Sequence, residues 1–96
     1  MVTEIALLNI RKGSSEAFEN VFATAQKIIV SAQGYISHQL QKCIEEKHKY
    51  LLIVEWATIE DHETCFRKSA AYQEWKKLLH HFYDPFPTVQ HYIKIF

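Results

Sequence analysis

Six histidines and two cysteines are the side chains of this 96-residue sequence best suited to proton transfer or metal binding. His62 and Cys65 stand three apart, so on a helix both can face one ion, but the spacing indicates no third ligand. His80 and His81 are about 100° apart around a helix and do not easily share a site. No metal is therefore expected. His62 falls on the stripe Ile59, His62, Phe66, which turns it toward whatever the helix packs on. It is either a proton acceptor in a pocket or a core histidine satisfied by one hydrogen bond. Tyr72 combines a packable ring with a hydroxyl that can reach a ligand or water. Trp56, Phe66, Trp75 and Phe82 either wall a flat ligand or form ordinary core. Asn9 is polar on an otherwise apolar strand, and either binds a ligand or satisfies a backbone group near the strand end. Glu55 lies in the most apolar stretch of the chain, where a carboxylate must be paired or protonated. An ion pair, across an interface between two copies, is the role expected for it.

The elements that position these residues centre on Tyr50 to Trp56, YLLIVEW. Its run Leu51-Leu52-Ile53-Val54 is too short for a membrane span and has the character of a strand buried on both faces. Thr58 and Asp61 then form a capping pair that opens a helix. Earlier, residues 2–10 read as a first strand, with Ile5, Leu7 and Asn9 on one face and Ala6, Leu8 and Ile10 on the other. From Glu16 to about Ala32 the apolar positions Phe18, Val21, Phe22, Ala25, Ile28 and Ile29 trace an amphipathic helix. Gly13 and Gly34 bracket it, Gly34 as a C-terminal stop. Tyr35 to Cys43 alternates as a second strand, and Glu45-Glu46-Lys47 makes the turn into YLLIVEW. After it come two helical pieces parted at Ser69, the second carrying Tyr72, Trp75, Leu79 and Phe82 on one face. Asp84-Pro85-Phe86-Pro87 stops that helix, and Thr88 to Phe96 alternates as a last strand.

Strand, helix, strand, strand, helix, strand is the ferredoxin-like βαββαβ order, an α+β fold with a four-stranded antiparallel sheet and both helices on one face. Ninety-six residues suit a single domain over 1–96. So small a domain buries only roughly 60–70% of its unfolded surface. The sheet face away from the helices is apolar in at least two strands, so a homodimer packed sheet against sheet is expected. Eleven basic and eleven acidic residues cancel, and the basic ones are scattered, which argues against nucleic acid or an anionic membrane as partner. No apolar run approaches the ~20 residues of a membrane helix. Met1 is not followed by the regions of a signal peptide. Cys43 and Cys65 fit a reducing cytoplasm better than a disulfide framework.

Four stretches carry a resemblance to the antibiotic biosynthesis monooxygenase family of dimeric α+β barrels. They are the first strand leading to Arg11-Lys12-Gly13, the Gly34-Tyr35 entry, Val54-Glu55-Trp56 followed by Thr58, and the two-piece helix broken near Ser69-Ala70-Ala71-Tyr72. The resemblance implies a cofactor-independent monooxygenase that oxidises a small aromatic or quinol-like molecule with dioxygen, with no metal or flavin. An electron-rich phenolate can itself reduce dioxygen, so the site needs a dry apolar pocket and a group that takes the phenolic proton. On that reading His62 and Tyr72 are the catalytic candidates, and Asn9, Trp56, Phe66, Trp75 and Phe82 the substrate-binding ones. The alternative is a non-catalytic dimeric binding or sensing domain that uses the same pocket. Two departures stand out. Many family members carry a histidine where Cys65 stands. The asparagine, tryptophan and histidine of the haem-degrading branch would fall near Ala6, Phe66 and Lys76, so haem degradation is disfavoured.

Overall fold

The computed structural model describes residues 1–96. Its strands are β1 (Val2–Asn9), β2 (Tyr35–Lys42), β3 (Lys49–Trp56) and β4 (Val89–Tyr92); its helices are α1 (Ser15–Val30) and α2 (Ala70–Leu79). A turn of π-helix, Asp61–Phe66, lies between β3 and α2, and a 3₁₀ turn, His80–Phe82, follows α2. The sheet order is β2-β3-β1-β4 with every pair antiparallel. This is the ferredoxin-like arrangement that the element order implied.

The core follows from period-two alternation in the two central strands. Val2, Glu4, Ala6 and Leu8 of β1 face the helices and pair across with Trp56, Val54, Leu52 and Tyr50 of β3. From α1, Phe18, Phe22, Ala25 and Ile29 press onto that layer at spacings of four, three and four, one side of a helix. Trp75 and Leu79 of α2 complete it. Truncating a fully buried member such as Leu79 to alanine would cost ~2–5 kcal/mol.

The other sheet face is different. Ile5 pairs with Ile53 and Leu7 with Leu51 on it, and all four remain partly or substantially exposed. In the single chain β1 and β3 are thus buried on one face only, although the sequence reads as strand buried on both. β4 is also shorter than the alternation of residues 88–96 suggests. Tyr92 already lies opposite Thr3, so beyond it β1 has almost no residues left to pair with. Ile93, Ile95 and Phe96 therefore project into solvent. A register shift between Tyr35 and Ser37 turns Ile36 outward and leaves Tyr35, His38 and Leu40 half-buried toward α1.

Local signals place the π turn. Asp61 Oδ2 accepts from both the backbone N–H and the hydroxyl of Thr58 at 3.1 and 3.0 Å, and the Asp61 N–H donates back to Thr58 Oγ1. Gly34, at φ +77°, passes so close that a Cβ there would overlap the Asp61 carboxylate. Gly34 is thus less a stop for α1, which ends at Val30, than the point where β2 slips under the π turn. Ser69 caps α2 by accepting from the Tyr72 N–H at 3.1 Å.

Candidate active site

Between the helix-side face of the sheet, the π turn, α2 and the segment 84–87 lies a cavity of about 320 Å³. Phe66, Trp75 and Phe86 supply aromatic wall, and Ala6, Leu8 and Leu52 form an apolar floor. Into this apolar space the chain sends a carboxylate. Glu4 takes the inward position of β1 and is only 5% exposed. Its Oε1 accepts from Trp56 Nε1–H at 2.9 Å. Its other oxygen has no protein hydrogen-bond partner and is not sealed off, so it opens on the cavity. Burial pushes the Glu4 carboxyl up to about 7, against the opposing pull of the Trp56 hydrogen bond and the Arg67 charge.

His62, from the π turn, stacks on the Trp56 indole with ring centroids 5.2 Å apart and planes 17° apart. Its Nε2 faces Glu4 Oε1 at 3.4 Å, and its Nδ1 is hydrogen-bonded to His91 Nε2 at 2.8 Å. Burial, reinforced by the charges of Arg67 and His91, lowers its pKa to about 3. The imidazole is therefore neutral at ordinary pH, and the contact with Glu4 is not an ion pair. His91 arrives from β4, where it lies directly across from Glu4. Glu63 brings Oε1 to 3.6 Å from His91 Nε2, and its Oε2 meets Arg67 at 3.4 Å.

Tyr72 and Tyr83 bring hydroxyls to the cavity that no protein group engages. Burial raises the Tyr83 phenol well above its usual range, so it stays protonated and can act as a donor. His80, lowered by burial and by Lys76, sits with its ring edge-on to Phe86 at 4.9 Å.

Of the residues singled out in the sequence, His62, Tyr72, Phe66 and Trp75 meet in this cavity. Trp56 is fully buried behind it and acts as a platform for His62 and a donor to Glu4. Phe82 packs into the core against Phe18 at 5.7 Å and does not line the cavity. Asn9 alternates with buried Leu8 and so belongs to the opposite face of the sheet; its carbonyl accepts from the Asp84 N–H. Cys65 is exposed and does not join His62, because the π turn carries it outward. Glu55 is half-buried on the open face and accepts from the hydroxyl of Thr3 across the strand pair at 2.9 Å. The buried carboxylate is Glu4 instead. Its signal was present in the sequence, since Glu4 shares the alternation of Ala6, Leu8 and Ile10. His91 and Glu63 carry no such local mark; register and the π turn bring them in.

A family profile described as antibiotic biosynthesis monooxygenase matches residues 1–78. The uncharacterized protein YczJ of Bacillus subtilis is 58% identical over 92 residues, covering 96% of this chain and 97% of its own. A solved Bordetella bronchiseptica protein, provisionally described as an antibiotic biosynthesis monooxygenase, superposes with a TM-score of 0.94 at 34% identity, covering 99% of this chain and 97% of that one. SnoaB, a cofactor-independent oxygenase from Streptomyces nogalater, shares the fold at a TM-score of 0.84 and 16% identity, over 99% of this chain and 93% of its own.

Proposed function

The chain belongs to the antibiotic biosynthesis monooxygenase family, and from that premise we propose that it oxidises a small aromatic or quinol-like substrate with dioxygen, by chemistry that needs neither metal nor flavin. The observation that carries the reading is the free oxygen of Glu4, a carboxylate set in an aromatic-walled cavity of about 320 Å³. A phenolic substrate gives its proton to Glu4, and the resulting carbanion-like ring carbon transfers electrons to dioxygen. The peroxide formed at that carbon takes the proton back and loses water, leaving a carbonyl. One oxygen atom enters the product, the other leaves as water, and the substrate is the only reductant. The apolar walls keep bulk water from the carbanion.

In this scheme His62 is a positioning residue. Both its nitrogens face protein groups, so it holds Glu4 against Trp56 and leaves proton abstraction to the carboxylate. Tyr72 is the catalytic hydrogen-bond donor to the substrate oxygen, and Phe66 and Trp75, edge-to-face with each other at 6.1 Å, form one aromatic wall against the ring. The active unit is a homodimer joined through the face bearing Ile5, Leu7, Leu51 and Ile53. No helix of the chain is long and apolar enough to cross a membrane, and the two free cysteines suit a reducing cytoplasm.

Oxygen uptake by chelator-treated protein with a panel of one- and two-ring quinols and phenols tests the proposal. Uptake that saturates with substrate and falls in Glu4→Gln is expected. Saturable quenching of tryptophan fluorescence without uptake would identify a binding domain instead.

A further inference from the structure

We propose that His62, Glu63 and His91 form a divalent-cation site of the two-histidine, one-carboxylate kind, suited to Zn²⁺, at the edge of the cavity. His62 Nδ1 and His91 Nε2 are 2.8 Å apart, His91 Nε2 and Glu63 Oε1 are 3.6 Å apart, and the three donor atoms all lie within 4.8 Å of one another. Zn–N bonds of ~2.0–2.1 Å in a tetrahedral site require donors roughly 3.3 Å apart. The two closest pairs bracket that separation. Glu63 is the exposed member of the three, and its side chain supplies the remaining adjustment.

The backbone is arranged for convergence. A π turn advances less per residue than an α-helix, so the adjacent residues His62 and Glu63 point more nearly the same way than α-helical neighbours do. The third donor comes from a different element, β4, held by its pairing with Glu4. A built site also has supporting contacts, and these are present. His62 keeps Nε2 toward the Glu4 carboxylate at 3.4 Å while Nδ1 points to the donor cluster, the carboxylate–histidine–metal order. Trp56 fixes both members of that pair, by its N–H to Glu4 and by its stacked indole under His62. Glu63 offers Oε1 inward while Arg67 holds Oε2. The Glu63 carboxylate offsets the Arg67 guanidinium at 3.4 Å, which lessens that charge's opposition to a cation. Three protein donors leave a further coordination position for water or a ligand. The oxygenation proposed above does not depend on this ion.

Isothermal titration of the chelator-stripped full-length chain with ZnCl₂ tests the site, with CoCl₂ as a spectroscopic probe. One equivalent per chain is expected, together with the intense visible bands of four-coordinate Co²⁺. His91→Ala and Glu63→Ala should each weaken binding at least tenfold, and Cys65→Ser should leave it unchanged. Because Glu63 is exposed, Glu63→Ala folds as the native chain does and decides the matter even where His91→Ala does not. Absence of saturable binding by the native chain, or binding undiminished in Glu63→Ala, would overturn the proposal.

Discussion

Glu4 concentrates the chemistry of this protein because it is an acid placed where the strand alternation calls for a hydrophobe. The groups facing it are Trp56 from β3, His62, Glu63 and Arg67 from the π turn and the residue that follows it, His91 from β4, and Tyr83. Replacing it with glutamine keeps an acceptor for the Trp56 N–H but removes the base. Turnover should fall by the ~10²–10⁴-fold typical of a positioned acid–base group. Stability should move the other way. The folded pKa, about 7, lies above the ordinary 4.5. Glu4 therefore contributes most to native stability below about 4.5, and that contribution is lost as pH rises through 7, while His62 opposes the slope between about 3 and 6.5. A shift of that size corresponds to about 3 kcal/mol. His62, neutral from about pH 3 upward in the fold, adds no competing slope above pH 7. Denaturant unfolding of the metal-free native and Glu4→Gln proteins at pH 5 and pH 9 measures this. The variant should gain on the native chain at pH 9; equal pH slopes would show that Glu4 is not the buried acid described here.

At the scale of elements, the decisive piece is the junction of Gly34, Asp61 and Thr58, which seats the π turn and with it His62 and Glu63. Gly34 and Gly13 both hold positive φ, +77° and +81°, yet only Gly34 has a side chain pressed against it. Gly13→Ala should cost only the ~1–2 kcal/mol of a left-handed alanine. Gly34→Ala adds an overlap with the carboxylate that caps the turn, and should cost clearly more. It should also weaken ligand binding, because the cap and His62 sit on one rigid turn. Parallel melting curves for the two variants check the order, and a larger loss in Gly13→Ala would refute it. Ser69→Ala, which deletes the α2 cap beside Tyr72, should cost ~1 kcal/mol.

The whole molecule leaves one broad apolar surface uncovered. Ile5, Leu7, Leu51 and Ile53 line the sheet face away from the helices, and Ile93, Ile95 and Phe96 extend the apolar surface past β4. Exposed apolar area on this scale is unusual for a monomer. Sedimentation at micromolar concentration should show a dimer. Leu51→Glu should shift it toward monomer while leaving the cavity walls in place, since residue 51 points away from them. A native chain that sediments as a monomer would remove the sheet as interface.

The sequence by itself determined the element order, the capping pair at Thr58 and Asp61, the break at Ser69 and the inward stripe that includes His62. Each of these is written in neighbours within one turn or one strand, where backbone sterics and alternation act locally. The same alternation extends to Glu4, so its inward position was legible too. What Glu4 would meet there was not. His91 stands 87 residues away in the chain and reaches Glu4 only through the β1–β4 register. The π turn, which leaves Cys65 in solvent and Glu63 at the cavity rim, sits against Gly34 and leaves no mark in periodicity. Asn9 and Phe82 show the converse: their types suited a site, but sheet face and core packing placed them elsewhere. Residue chemistry and local pattern fixed which elements form, while pairing register and packing decided which side chains meet, because those depend on contacts between distant segments.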